Sequence, residues 1–353
     1  MPPTSALPPR ARPFLRLTAV AGMLLALLAA LPAGAAPPEG APTFELPLAC
    51  RINVDCAVQK YFDHDPGPGA KDYMCGDLVN DKHTGIDIRV PSYVDMRRGV
   101  AVLAAAPGVV WRTRDGVEDI NVREVGKEVV DEYGLGNVVV IDHGNGWRSF
   151  YGHMRKGSVA VKEGDRVEAG QQVGLVGLSG LTEFPHVHFM VMRGKTPIDP
   201  FTGTAAADPT ACGDISHALW SPKALAELVY TPTGPLIAGF STDKPEAETA
   251  RNGGYSANPL PASAATLFFW AEYFGLQQGD RQIFRILGPD GAVLVDYDRP
   301  AQARKILMFR YVGTRAPAGG FKPGLYRAEF KLMRGSGGAA QTVIDLSRQV
   351  ELR

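Results

Sequence analysis

Short apolar, β-branched runs alternate with turn residues over much of the chain, at 100–104, 108–112, 137–142, 148–151, 173–176 and 186–192. Runs of this length and period predict strands, and no helical period competes between His83 and Phe201. Asn145-Gly146 stands between 138–141 and 147–151 and predicts a two-residue hairpin turn. The stretch 161–170 reads as two tight turns flanking a short strand. A charged insert at 113–133 interrupts the pattern and is expected to be a surface hairpin or loop near one end of the sheet. A second alternating region follows at 265–274, 281–287, 292–297, 306–311, 324–332 and 341–352, with Gly, Pro and Asp turns between the runs. The fold class is therefore mainly β: an antiparallel domain, then a small immunoglobulin-like β-sandwich.

Between these regions, Ser221 and Pro222 precede Ala224, Leu225, Leu228 and Val229, the N-cap and first-turn pattern of a short helix near 221–229. The expected organisation is a signal peptide at 1–35, a flexible Pro- and Ala-rich lead-in at 36–49, a disulfide-stabilised segment at 50–82 and a first domain at 83–203. A linker with the short helix at 204–254 and the sandwich at 255–353 complete it. The signal peptide rests on Arg10, Arg12 and Arg16 before the apolar run 17–31, followed by Ala33-Gly34-Ala35. That run is short for a transmembrane span, and no cysteine stands at the cleavage point, so an exported, most simply periplasmic, protein without a membrane anchor is expected.

Charge narrows the partners. The chain has 37 Lys and Arg against 37 Asp and Glu, and three of the arginines lie in the leader, leaving 37 − 3 − 37 = −3 on the exported part. Nucleic acid is not expected as a partner. The four cysteines, Cys50, Cys56, Cys75 and Cys212, suit two disulfides in an oxidising compartment. Three pairings are open, of which Cys50 with Cys56 and Cys75 with Cys212 is preferred.

Two of the seven histidines, His186 and His188, stand two apart in a strand-like run, so both rings project from one face. His83 and Asp87 are four apart, an even spacing that puts them on one face of an extended segment, with Gly85 between them allowing close packing. Imidazoles and a carboxylate with a free position for water make a catalytic zinc set. Tyr151-Gly152-His153 could bring another imidazole to the rim. His64, His143 and His217 read as satisfied core or surface residues, His64-Asp65 as a solvated turn, and Asn137 and Tyr151 as groove-lining or structural.

His83-x-Gly-x-Asp87, the run 136–146, Tyr151-x-His153 and His186-x-His188 resemble, in order and spacing, the lysostaphin-like, LytM-type zinc endopeptidases that cut peptidoglycan peptides. The resemblance covers about residues 80–202, roughly a third of the chain. It implies a barrel-sandwich fold of the duplicated hybrid motif type, Zn2+ as cofactor, and peptidoglycan as substrate. It implies His83, Asp87 and His188 as metal ligands, with His153 and His186 as catalytic histidines that do not bind the metal. It also raises an alternative, since some members serve as non-catalytic activators of other cell-wall hydrolases. The sandwich carries no histidine and no catalytic cluster; binding of a cell-wall or divisome protein is one role expected for it. The 161–177 turns are similar to biotinyl and lipoyl carrier domains, but no lysine stands at a hairpin tip in the required tripeptide.

Overall fold

The computed structural model of the chain describes residues 38–130, 134–205, 212–335 and 337–353. The expected signal peptide lies outside these residues. Among the described residues of the first half, ten strands form: β1 (Ala57–Lys60), β2 (Ile86–Arg89), β3 (Ala101–Leu103), β4 (Gly108–Arg114), β5 (Asn137–Gly144), β6 (Trp147–Met154), β7 (Arg166–Val167), β8 (Gln172–Leu175), β9 (His186–Arg193) and β10 (Thr196–Ile198). The main sheet runs β1-β2-β9-β6-β5-β4-β7, with β10 also on β9, and β3 pairs with β8 separately. All these pairings are antiparallel. The β5–β6 hairpin turns on Asn145 and Gly146, both at positive φ, as the dipeptide predicts.

Alternation decides which side chains go where. On β9, Val187, Phe189 and Val191 are fully buried in the core with Ile86 and Ile88 of β2. His186 and His188, and Asp87 and Arg89 of β2, therefore share the opposite face.

Two segments do more than their composition predicts. The lead-in, expected to be flexible, places Phe44 and Leu48 in the core; Phe44 packs edge-on against Phe189 and bridges to Trp220. Two apolar residues in a Pro- and Ala-rich context gave no periodic signal, yet they cover a sheet face that would otherwise be wet. Segment 50–82 likewise supplies edge strand β1 and buries Tyr61, Tyr73 and Leu78. Its order rests on this packing as well as on its cystines. The insert forms two short helices, α1 (Val122–Val125) and α2 (Lys127–Val130), within the stretch expected to be a hairpin or loop. Asn121 caps α1 by accepting from Arg123 N.

The second half is a two-sheet sandwich. The first sheet is β11 (Gly234–Ser241), β12 (Thr266–Leu276) and β15 (Lys305–Arg315). The second runs β14 (Val293–Pro300), β13 (Arg281–Leu287), β16 (Gly324–Arg334) and β17 (Gln341–Leu352). Phe269, Phe284 and Phe330 lie fully buried between the sheets. Strand β11 falls inside the stretch read as a linker, because Gly, Pro and Thr around it masked an apolar run that pairs with β12. The short helix is present at Pro222–Glu227, with the Ser221 hydroxyl accepting from Ala224 N.

Both preferred disulfides form, Cys50–Cys56 and Cys75–Cys212. The second spans 137 residues and ties the N-terminal segment to the chain beyond the sheet. Replacing both Cys75 and Cys212 by alanine is expected to lower the unfolding free energy by about 2–4 kcal/mol, read as a shifted denaturation midpoint in the absence of reductant.

Candidate metal site

Strand pairing sets Asp87 opposite His188, and Arg89 opposite His186. Residues directly opposite in an antiparallel pair point to the same side, so both histidines reach over β2. Asp87 Oδ1 lies 2.9 Å from His188 Nδ1, 3.0 Å from His83 Nε2 and 3.3 Å from His186 Nε2. Burial alone would raise the Asp87 carboxyl, but the surrounding histidines outweigh it and hold its pKa well below the usual carboxylate range. Burial likewise works against a charged His83, yet Asp87 prevails and keeps that imidazole above its ordinary value.

His83 does not sit on a strand. It comes from the turn before β2, and its Nδ1 donates to the Tyr61 carbonyl at 2.6 Å, which turns Nε2 toward Asp87. Even spacing along one extended segment is thus not what joins His83 to Asp87. The N-terminal segment aims the ring. Gly85 is required by crowding: a Cβ there would stand 2.5 Å from the Phe189 carbonyl and 2.8 Å from His188 Nε2.

His153 reaches the site by a break in the sheet. Alternation along β6 would point it into the core with Tyr151, but the β5–β6 register shifts between Asn137/Met154 and Val139/Tyr151. His153 itself adopts φ +57°. This bulge turns the ring outward, 4.6 Å centroid to centroid from His186 and 6.1 Å from His188. A left-handed non-glycine residue inside a strand costs energy, and such strain gathers at functional positions. His153 Nδ1 donates to the Ser179 carbonyl at 2.7 Å. Burial, with His186 and His188 beside it, keeps its pKa well below that of a free imidazole. His186 Nδ1 donates to the Phe184 carbonyl at 2.9 Å, and the Phe184 ring packs 4.5 Å from its own.

His83, Asp87 and His188 offer ligand atoms that all lie within 4.8 Å of one another, a grouping that could hold a metal ion. The donor chemistry fits one: two imidazoles and a carboxylate, with the non-coordinating nitrogen of His83 fixed by a backbone carbonyl. The other residues weighed from the sequence lie elsewhere. Tyr151 is buried, its hydroxyl bonded to Ala105 N and Ser149, and Asn137 ties the insert to β5 through Val117 and Met154. Both are structural. His143 bonds the Pro107 carbonyl and Ser149. His64 is buried and hydrogen-bonded to Asp199 at 2.7 Å, not a solvated turn, because the chain folds back over it. Lys60 is a site neighbour that sequence reading missed: its Nζ lies 3.6 Å from Asp87 Oδ2. Nothing marked it, since its strand is a four-residue edge.

The fold and these residues define a mainly β protein with a His-Asp-His metal-type site flanked by two more histidines. Residues 81–200, about a third of the chain, match Peptidase family M23. Over 114 residues it is 33% identical to the peptidoglycan DD-endopeptidase ShyA of Vibrio cholerae, covering 32% of this chain and 21% of ShyA. It is 33% identical over 119 residues to the DD-carboxypeptidase/endopeptidase Mpg of Neisseria meningitidis, 33% of this chain and 22% of Mpg. The cell division protein DipM of Caulobacter vibrioides is 27% identical over 125 residues, 34% of this chain and 17% of DipM. The matches thus span about a fifth of the length of these relatives.

Gly85→Ala is expected to push the His188 ring off its position, lowering divalent-metal affinity about 10–100-fold and stability by about 1–3 kcal/mol, as read by metal titration and denaturant unfolding.

Proposed function

We propose that the chain is an exported, periplasmic zinc endopeptidase that hydrolyses peptide stems or cross-links of peptidoglycan. The observation that carries this reading is the convergence of His83 Nε2, Asp87 and His188 Nδ1 on one buried spot, with His153 and His186 beside it. The M23 match and the activities for which ShyA and Mpg are named support the peptidase class and the peptidoglycan substrate. Export is supported by the leader pattern and the two disulfides. Among the described residues, no helix is long and apolar enough to cross a membrane.

His83, Asp87 and His188 would hold the zinc ion. When bound, zinc supplies Lewis-acid polarisation of a carbonyl and a lowered pKa for water. The chain's own residues do the rest. His153 carries its proton on Nδ1, held by Ser179 O, so Nε2 is the free nitrogen that takes a proton from the attacking water. His186, anchored through Nδ1 to Phe184 O, presents Nε2 at the same place, where it would meet the developing oxyanion. Phe184 and the insert exclude water on one side: Asn121 donates to the Glu183 carbonyl and Val122 N to the Thr182 carbonyl. The DipM likeness supports a cell-wall or division protein as a further partner, with the sandwich as the surface that would receive it.

Purified protein should carry about one zinc per chain and release peptide products from isolated peptidoglycan, read by mass spectrometry. Chelation should abolish cleavage, and zinc should restore it. Cleavage that survives both chelation and His188→Ala, or no cleavage at all, would sink the reading. Asp87→Ala should lose the metal, whereas His153→Ala should keep it and cleave at least about 100-fold more slowly.

A further inference from the structure

Lys60 is the cation nearest the site, and its surroundings leave its charge half used. Its side chain is 20% exposed, and Nζ stands 3.6 Å from Asp87 Oδ2, beyond hydrogen-bond length. Among the described residues, no acceptor hydrogen-bonds this ammonium. The three histidines face Asp87 Oδ1, and Oδ2 is the ion-pair partner of Lys60, reached without a hydrogen bond. Lys60 Nζ also sits over the Phe184 ring, 5.4 Å from the centroid, and that ring packs at a tilt against His186, 4.5 Å between centroids. The ammonium is thus held on the His186 side of the site with donors to spare.

A second cation reinforces the first. Arg89 follows Asp87 by two residues on the same face and is buried, its guanidinium 4.8 Å from the centroid of the same Phe184 ring. Its hydrogen-bond partners are neutral: Gln59 Oε1 at 2.6 Å and the carbonyls of Val90 and Pro91. Among the described residues, no carboxylate forms an ion pair with it; Glu272, which acts on it through space, is itself paired with Arg251. The nearby Glu183 carboxylate is taken by Arg123 at 2.5 Å. Phe184 therefore lies between two cations that no protein carboxylate fully compensates, on the β1 side of the site. A buried, under-compensated charge favours an anionic ligand.

We propose that Lys60, backed by the fixed charge of Arg89, recognises a free carboxylate on the substrate, so that the site takes anionic peptides bearing a carboxylate beside the scissile bond. The inference rests on the peptidase reading and narrows its substrate class. Lys60 acts here as a specificity-determining residue, not as a proton carrier.

The test uses the full exported chain loaded with zinc and a pair of cross-linked stem peptides, one with free side carboxylates and one with the same groups amidated. Calorimetric binding and cleavage are both measured. Wild type should bind the carboxylate form about 10–100-fold more tightly. Lys60→Met should erase that preference, with the Kd for the carboxylate form rising to that of the amide, while zinc content stays at the wild-type level. Lys60→Arg should recover most of the preference. A preference that persists in Lys60→Met overturns the proposal, as does a Lys60→Met chain that has lost its zinc, since that would make Lys60 a support for Asp87. Charge-selective binding without cleavage would count against the peptidase reading alone, and cleavage without charge selectivity against this inference alone.

Discussion

A buried carboxylate is the constraint from which the first domain follows. Asp87 sits on a sheet face where water is largely excluded, and an ion in that position must be compensated or it unfolds the strand that carries it. Compensation comes from two directions: the turn before its own strand, which brings His83, and strand β9 beside it, which brings His186 and His188. Each of those elements is anchored by something else, His83 by the Tyr61 carbonyl and His186 by the Phe184 carbonyl. The site is thus the place where otherwise separate parts of the chain are required to agree.

That dependence explains the unusual burial of both sheet faces. A sheet with one solvated face would show polar residues alternating with apolar ones; here Asp87, Arg89, His186 and His188 are buried although they are polar. The layer over them is built from the N-terminal segment and the insert. The Asn137 side chain holds the insert by donating to the Val117 carbonyl, and Asp119 accepts from Leu178 N and Lys156 N. Loops that would be free surface elsewhere are therefore fastened around the histidines, which fits a site that must keep rings in fixed tautomers.

Much of this was legible in the sequence, and the parts that were not share a physical cause. The strands of both domains, the Asn145-Gly146 turn and the Ser221 cap were readable because period and turn chemistry are local. The candidate set His83, Asp87, His153, His186 and His188 was legible through the resemblance of its motifs to a known family, and not through spacing along one strand. Strands β1 and β11, the core role of Phe44 and the position of Lys60 were not. All four depend on pairing or packing with residues far along the chain, and their own stretches are too short, or too rich in Gly and Pro, to carry a period. The bulge at His153 was equally hidden, since a register shift is a property of two strands and not of either one.

The edge strand and the Phe44–Trp220 contact have a further implication for where the first domain ends. The residues that match the peptidase family begin at 81 and stop at 200, yet the sheet's β1 edge, the carbonyl that aims His83, and two of the large side chains packed on Phe189 all come from outside those limits. Cut at the boundaries of the match, the piece would present the open backbone of β2 and an uncovered aromatic face, the ingredients of edge-to-edge aggregation. The segment that matches the family and the segment that packs as one sheet are two different lengths of the same chain, and the smaller is completed only by what surrounds it.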